Sequence, residues 1–210
     1  MEKPNQIEKK LSRSQLRRRD DILQAALNIF ERKGFETAKM EDIAVDAGVA
    51  KGTLYLYFDT KSALLEGVIK SAIMPTLQQI GDAARMHHGT ARDLLIQQMK
   101  IAAARMASNE MKLLLRLMIS GGSKQHSIID FYFKNVVQKG LEHFKATLDY
   151  GVETGEFRQE VKNLDPLVLV GSPVYTAVWN ILFEDIDPIN AQELVEDHVE
   201  IVLSGILKSP

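Results

Sequence analysis

Between Val49 and Phe58 the chain reads Val-Ala-Lys-Gly-Thr-Leu-Tyr-Leu-Tyr-Phe, and Asp59-Thr60-Lys61 follows at once. One cation, one hydroxyl and two phenols lie beside a glycine. That set suits a short helix pressed into a groove of DNA. Thr53 and Tyr55 are placed to meet bases and sugars, Tyr57 to donate its hydroxyl to a phosphate, and Gly52 to let the backbone come close.

Such a helix is too short to stand alone, so other elements must hold it. Helical period places one helix from about Ser14 to Lys33, with Ile22, Leu23, Ala26, Leu27 and Phe30 on one face and Gly34 at its end. A second runs from about Met40 to Ala47 and a third from about Lys51 to Phe58, joined through Asp46-Ala47-Gly48-Val49. Gly48 permits the left-handed backbone of a tight helix–helix turn. Leu54 and Phe58, four residues apart, are expected to anchor the third helix inward, leaving Lys51, Thr53, Tyr55 and Tyr57 for the other faces. This is the pattern of a helix-turn-helix. The competing reading is an ordinary three-helix core with packed tyrosines; the clustering of polar groups on the third helix speaks against it.

Gly34-Phe35, Ile43-Ala44, Gly48-Val49, Gly52-Thr53-Leu54-Tyr55, Tyr57-Phe58, Lys61 and Leu64-Leu65 carry a specific resemblance over roughly residues 14–65. The segment resembles the DNA-binding head of TetR-family (TetR/AcrR-like) bacterial transcriptional regulators. The resemblance implies that Lys51, Gly52, Thr53 and Tyr55 meet bases or the sugar–phosphate edge, and that Tyr57 and Lys61 clamp phosphates. Lys61 also falls in the first turn of the next helix, where free N–H groups favour an anion. The chain departs from the family at Lys39 and Ala50, where many members carry a Ser or Thr cap. Each missing cap oxygen costs about 1 kcal/mol, and Lys39 offers a charge contact to phosphate instead. Arg17, in the Arg17–Arg19 run at the start of the first helix, is expected to contact phosphate.

The 210 residues contain no cysteine, which excludes disulfide scaffolds, thiolate metal sites and cysteine nucleophiles. The net charge of −2 argues by itself against nucleic acid, but its distribution reverses that. Residues 1–19 hold seven Lys/Arg against two acids, whereas residues 62–210 hold 14 against 18. No apolar run follows the basic start, so no signal peptide and a cytoplasmic location are expected. The apolar run 167–183 is broken by Ser172, Pro173, Thr176 and Asn180 and reads as a buried helix, with no membrane partner.

The remaining segments are helical in period, which predicts an all-α fold: a three-helix head and a larger helical body. The domains are expected at 1–65 and 66–210, with a fourth helix, about 60–80, connecting them. Further helices are predicted at about 91–107, 110–120, 127–154, from Asp165-Pro166 to Glu184, and from Asn190 to Leu207.

For the body the resemblance is weaker; it implies a small-molecule effector site and a homodimer formed by the last two helices. Val195, Val199, Val202 and Ile206 form an apolar stripe on the last helix, and with Phe183 they are the dimer-interface candidates; the alternative is the core of a monomer. Effector candidates are the adaptable Met111 and the aromatic Phe131, Tyr132, Tyr175 and Trp179. Arg116 belongs to a stripe that either greets an anionic ligand or forms a solvent edge. His87-His88 lacks a spaced carboxylate or thiol, so no metal site and no cofactor are expected. No nucleophile–base constellation, P-loop or dinucleotide fingerprint supports a helical enzyme. The reading is a dimeric, ligand-responsive regulator on double-stranded DNA with a pseudo-palindromic operator. Repression relieved by a small molecule is the leading mode; activation, or control by a protein partner, is the alternative.

Overall fold

The computed structural model of the chain describes residues 12–121 and 126–208. Lys9 and Lys10 of the basic N-terminus, and Gly122, lie outside them. Among the described residues the regular structure is helical, with one isolated antiparallel bridge between Phe157 and Leu207. The chain divides into two compact units, Met1–Val68 and Ile69–Pro210.

In the first unit, α1 (Arg13–Thr37) opens with a capping box: Ser12 Oγ accepts from the Gln15 N–H, and the Gln15 side chain accepts from the Ser12 N–H. Its helical path breaks at Gly34, whose φ of 72° only glycine adopts without strain. α2 (Met40–Asp46) and α3 (Lys51–Tyr57) follow. Between them Gly48 takes φ 62°, while Val49 N–H donates to the Ala44 carbonyl and Gly48 N–H to Val45. This pair of reverse bonds is a Schellman closure, so the turn is set by the glycine and not by a long loop. Ile22, Ala26, Phe30, Ile43, Leu54 and Leu64 are fully buried together as the core. Neither α2 nor α3 has a side-chain cap, as expected from Lys39 and Ala50.

α4 (Lys61–Met86) starts at Thr60, whose hydroxyl accepts from the Ala63 N–H, and continues through Pro75. In the second unit come α5 (Ala91–Met106), α6 (Asn109–Gly121), α7 (His126–Tyr132), α8 (Gln138–Glu153), α9 (Gly171–Phe183) and α10 (Ala191–Ile206). α5 is central, packed by α8, α9 and α10. Leu95, Met99, Phe144, Leu148, Phe157 and Leu169 lie at the heart of its core. Side chains cap three elements of the body: Thr90 accepts from the Asp93 N–H, Asp165 from Leu167 and Asn190 from Gln192.

Three expectations for the body change. The helix expected over 127–154 is interrupted by a wider π turn at Phe133–Val137. The element expected from Asp165 is a 3₁₀ turn, Pro166–Val170, before α9 begins. The third change concerns α9, whose polar stripe faces inward. Thr176 and Asn180 are buried, and Asn180 binds both the N–H and the carbonyl of Ile189, which fixes the turn into α10. The apolar side of α9 is left outside, so the run is not the buried helix anticipated. Pro166–Phe183 has a mean hydropathy of 1.5 yet is only 28% buried.

Candidate nucleic-acid interface and ligand cavity

α3 is held from one side. Leu54 is fully buried and Phe58 nearly so, four residues apart, and the Arg19 guanidinium lies 5.5 Å from the Phe58 ring centre. The opposite side is open. Lys51, Gly52 and Tyr55 are exposed, and Thr53 and Tyr57 are half-buried. A side chain built at Gly52 would meet nothing within 4 Å. Glycine inside a helix costs about 1 kcal/mol relative to alanine, and packing within the unit does not require it. An unfilled surface at this point leaves room for a close approach by another molecule. Leu56, passed over in the sequence, is 85% exposed on the same helix. Its signal was its position, two residues from Leu54 and so on the opposite side.

Charge around α3 is organised by α2. Lys51 forms an ion pair with Glu41 and lies 5.9 Å from the Tyr55 ring centre. Lys33 pairs with Asp42 at 2.9 Å and Arg32 with Asp46 at 2.6 Å. The hydrogen bond from Lys51 holds the Glu41 carboxyl below its ordinary range, and Glu41 in turn raises Lys51. Lys51 is therefore partly neutralised, whereas Arg17 and Lys39 are exposed.

Lys61 does not point outward. Its ammonium donates to the carbonyls of Phe35, Glu36 and Ala38, and sits 4.5 Å from the Phe35 ring centre. An ammonium has three donors, and all three are engaged in closing the end of α1. The phosphate clamp expected at Lys61 is thus corrected to a structural tie across the head. Burial pulls its pKa downward, with Glu36 opposing.

The body candidates separate into two groups. Met111 and Tyr132 line a cavity of about 160 Å³ within the second unit, together with Arg105, Leu77, Val136 and Phe144. Phe131, Arg116, Tyr175 and Trp179 do not line it. Phe131 lies under Lys70, whose ammonium is 5.0 Å from its ring centre. Arg116 is exposed, and its neighbour on the same stripe, Lys112, is paired with Glu184 at 2.6 Å, so that stripe serves a surface contact. Tyr175, Trp179 and Phe183 stack as a ladder along α9, with ring centres 5.7 and 4.7 Å apart. The Trp179 indole donates to the Asp187 carbonyl at 2.6 Å, tying it to the α9–α10 turn.

Of the dimer candidates, Val195, Val199, Val202 and Ile206 are buried in the core of their own subunit. α10 packs on α5 and α9, and its stripe is not free for a partner, which corrects that expectation. Phe183 is exposed, as are Leu182, Ile186 and Ile201. The sequence could not distinguish an apolar stripe covered from within from one covered by a partner.

Comparison with known proteins agrees with the geometry of the head. Residues 22–68 match the family model described as bacterial regulatory proteins, tetR family. The chain is 39% identical over 83 residues to the HTH-type transcriptional regulator YvdT of Bacillus subtilis; the match covers 38% of this chain and 42% of that one. It is 26% identical over 200 residues to the HTH-type transcriptional repressor KstR2 of Mycolicibacterium smegmatis, covering 91% and 92% of the two chains. Among solved structures, the regulator FadR from Bacillus subtilis in complex with stearoyl-CoA superposes with a TM-score of 0.71 at 20% identity, over 89% of this chain and 98% of that one. Residues 22–68, which hold the helix-turn-helix closed by Gly48, are thus a domain of the tetR family of bacterial regulatory proteins.

Proposed function

We propose that the protein is a dimeric repressor that binds a pseudo-palindromic operator and releases it when a small molecule enters the body cavity. The observation that carries this reading is the open face of α3, where Gly52 has empty space beside it while Leu54 and Phe58 fix the helix from behind. In this reading Thr53 and Tyr55 read base edges, Tyr57, Arg17 and Lys39 contact phosphates, and Lys51 leaves Glu41 to do the same. Leu56 offers an aliphatic contact to a thymine methyl.

A two-fold operator requires two heads, about 34–36 Å apart. The exposed apolar side of α9, with Leu182 and Phe183, and Ile186 in the turn after it, is the surface that needs a partner, and a second copy supplies it. The KstR2 relative is named a repressor, and the FadR neighbour holds an acyl-CoA; both support repression and a small-molecule effector here. The effector releases DNA only to the extent that it favours a conformation whose heads do not fit the operator. Such a regulator works in the cytoplasm, beside the chromosome.

The test is a gel shift with DNA from the region flanking the gene, repeated with fractionated metabolite extracts. A retarded band that competitor DNA of scrambled sequence does not displace, and that one fraction abolishes, supports the reading. Displacement by scrambled DNA at equal concentration contradicts it.

A further inference from the structure

We propose that the cavity in the second unit takes a small amphipathic carboxylate, its head on Arg105 and its short aliphatic or ring body against the apolar wall. This deepens the ligand-release reading above and rests on it for its regulatory meaning.

Arg105 stands in the last turn of α5 and lines the cavity. One terminal nitrogen, Nη1, lies 3.6 Å from Glu110 Oε2. The other two, Nε and Nη2, are buried and meet no acceptor. These two N–H groups project in parallel from one edge of the guanidinium, the fork that a carboxylate fills with its two oxygens. Leaving buried charged donors unpaired costs more than leaving neutral ones, so an unoccupied fork is a place where an arriving acceptor gains most.

The rest of the lining selects the remainder of the ligand. Among the described residues no carboxylate lines the cavity, and apart from Arg105 the polar side chains of the lining are Thr76 and Tyr132. Burial pushes the Tyr132 phenol up to about 12, with Arg105 opposing, so Tyr132 remains an O–H donor at neutral pH. The facing wall is aliphatic and aromatic: Ile73, Leu77, Val137 and Phe144. A cation offers nothing to bind here, since the one charge present is positive. The volume of about 160 Å³ is many times the roughly 10–15 Å³ that one water needs and gives room for a carboxylate with a short body. Val136 and Val137 of the lining belong to the π turn, a wider stretch of helix that often marks functional positions.

The experiment is calorimetric titration of the full-length protein with hexanoate, hexanol and hexylamine, repeated with Arg105→Gln and Arg105→Leu. Hexanoate is expected to bind one per subunit, with hexanol and hexylamine at least tenfold weaker. Both variants are expected to weaken hexanoate at least tenfold while leaving hexanol unchanged. Equal binding of hexanol and hexanoate by the unaltered protein, which involves no variant and hence no folding question, overturns the assignment. So does undiminished hexanoate binding by folded Arg105→Gln, or no hexanoate binding at all. A parallel DNA-release assay separates the two readings. Hexanoate that binds through Arg105 without releasing DNA contradicts release by that ligand and leaves the site standing. Release by another compound, with no carboxylate binding, overturns the site and leaves the release reading standing.

Discussion

The Lys61 ammonium donates to the Ala38 carbonyl over 2.9 Å, joining residues 23 apart in sequence. With its bonds to Phe35 and Glu36, it closes the end of α1 from the start of α4. Lys61→Ala is therefore expected to lower the unfolding free energy of the head by about 1–3 kcal/mol. The salt slope of DNA binding should not change, because no phosphate contact is lost. Urea titration and binding at two salt concentrations check this. A variant of normal stability whose slope falls by about one would return Lys61 to the phosphates.

The Glu41–Lys51 pair makes a prediction of opposite sign. Glu41 is paired with Lys51, and in the proposed complex it would withhold Lys51 from DNA and add a negative charge beside α3. Glu41→Gln should strengthen binding to operator and random DNA alike, and steepen the salt slope by roughly one unit as Lys51 engages a phosphate. Weaker binding confined to one sequence would show that Glu41 itself reads a base.

Acid sensitivity follows from the same carboxylates. Lys51 holds Glu41 below 4.5, and Lys33 holds Asp42 below 3.8. A depressed carboxyl adds stability that is fully present above its unfolded pKa and drains away as pH falls through its folded value. Stability of the head should thus decline below about pH 4.5, starting with Glu41. The double variant Glu41→Gln, Asp42→Asn should flatten this acid limb and lower stability at pH 7 by a matching amount, small because both carboxyls are exposed. Circular dichroism during acid titration reads both. An acid limb unchanged in the double variant would assign the sensitivity to other groups.

The dimer prediction rests on which side of each helix is covered. Val199 is packed within its own subunit, whereas Leu182 and Ile186 are exposed. Val199→Asp buries an unpaired charge and should unfold the second unit, at a cost of several kcal/mol. Leu182→Glu with Ile186→Glu should leave helicity intact, halve the mass seen by light scattering, and weaken operator binding sharply. An intact dimer in that double variant places the interface elsewhere.

The head was legible from sequence because its determinants are local. Leu54 and Phe58 sit four apart, Gly48 marks the turn, and the absent caps at Lys39 and Ala50 could be read directly. The body was less so. Asn180 reads in sequence as a polar interruption of an apolar helix, and the way its stripe faces is set only by a partner, the backbone of Ile189. Arg105 and Arg116 look alike in sequence; only the fold puts one beside a cavity and leaves the other exposed. Lys61 sits at a position where the resemblance implies phosphate, and long-range carbonyls decide otherwise.

The central claim is that two copies read DNA through the open face of α3. Selection of bound duplexes from a random pool by the full-length protein tests it most directly. The account predicts enrichment of two inverted half-sites with centres one helical turn apart or a multiple of it, and a changed or relaxed half-site for Thr53→Ala or Tyr55→Ala, at a cost of about 1–3 kcal/mol per lost base contact. A pool without an enriched sequence, or the same half-site selected by both variants, would contradict it.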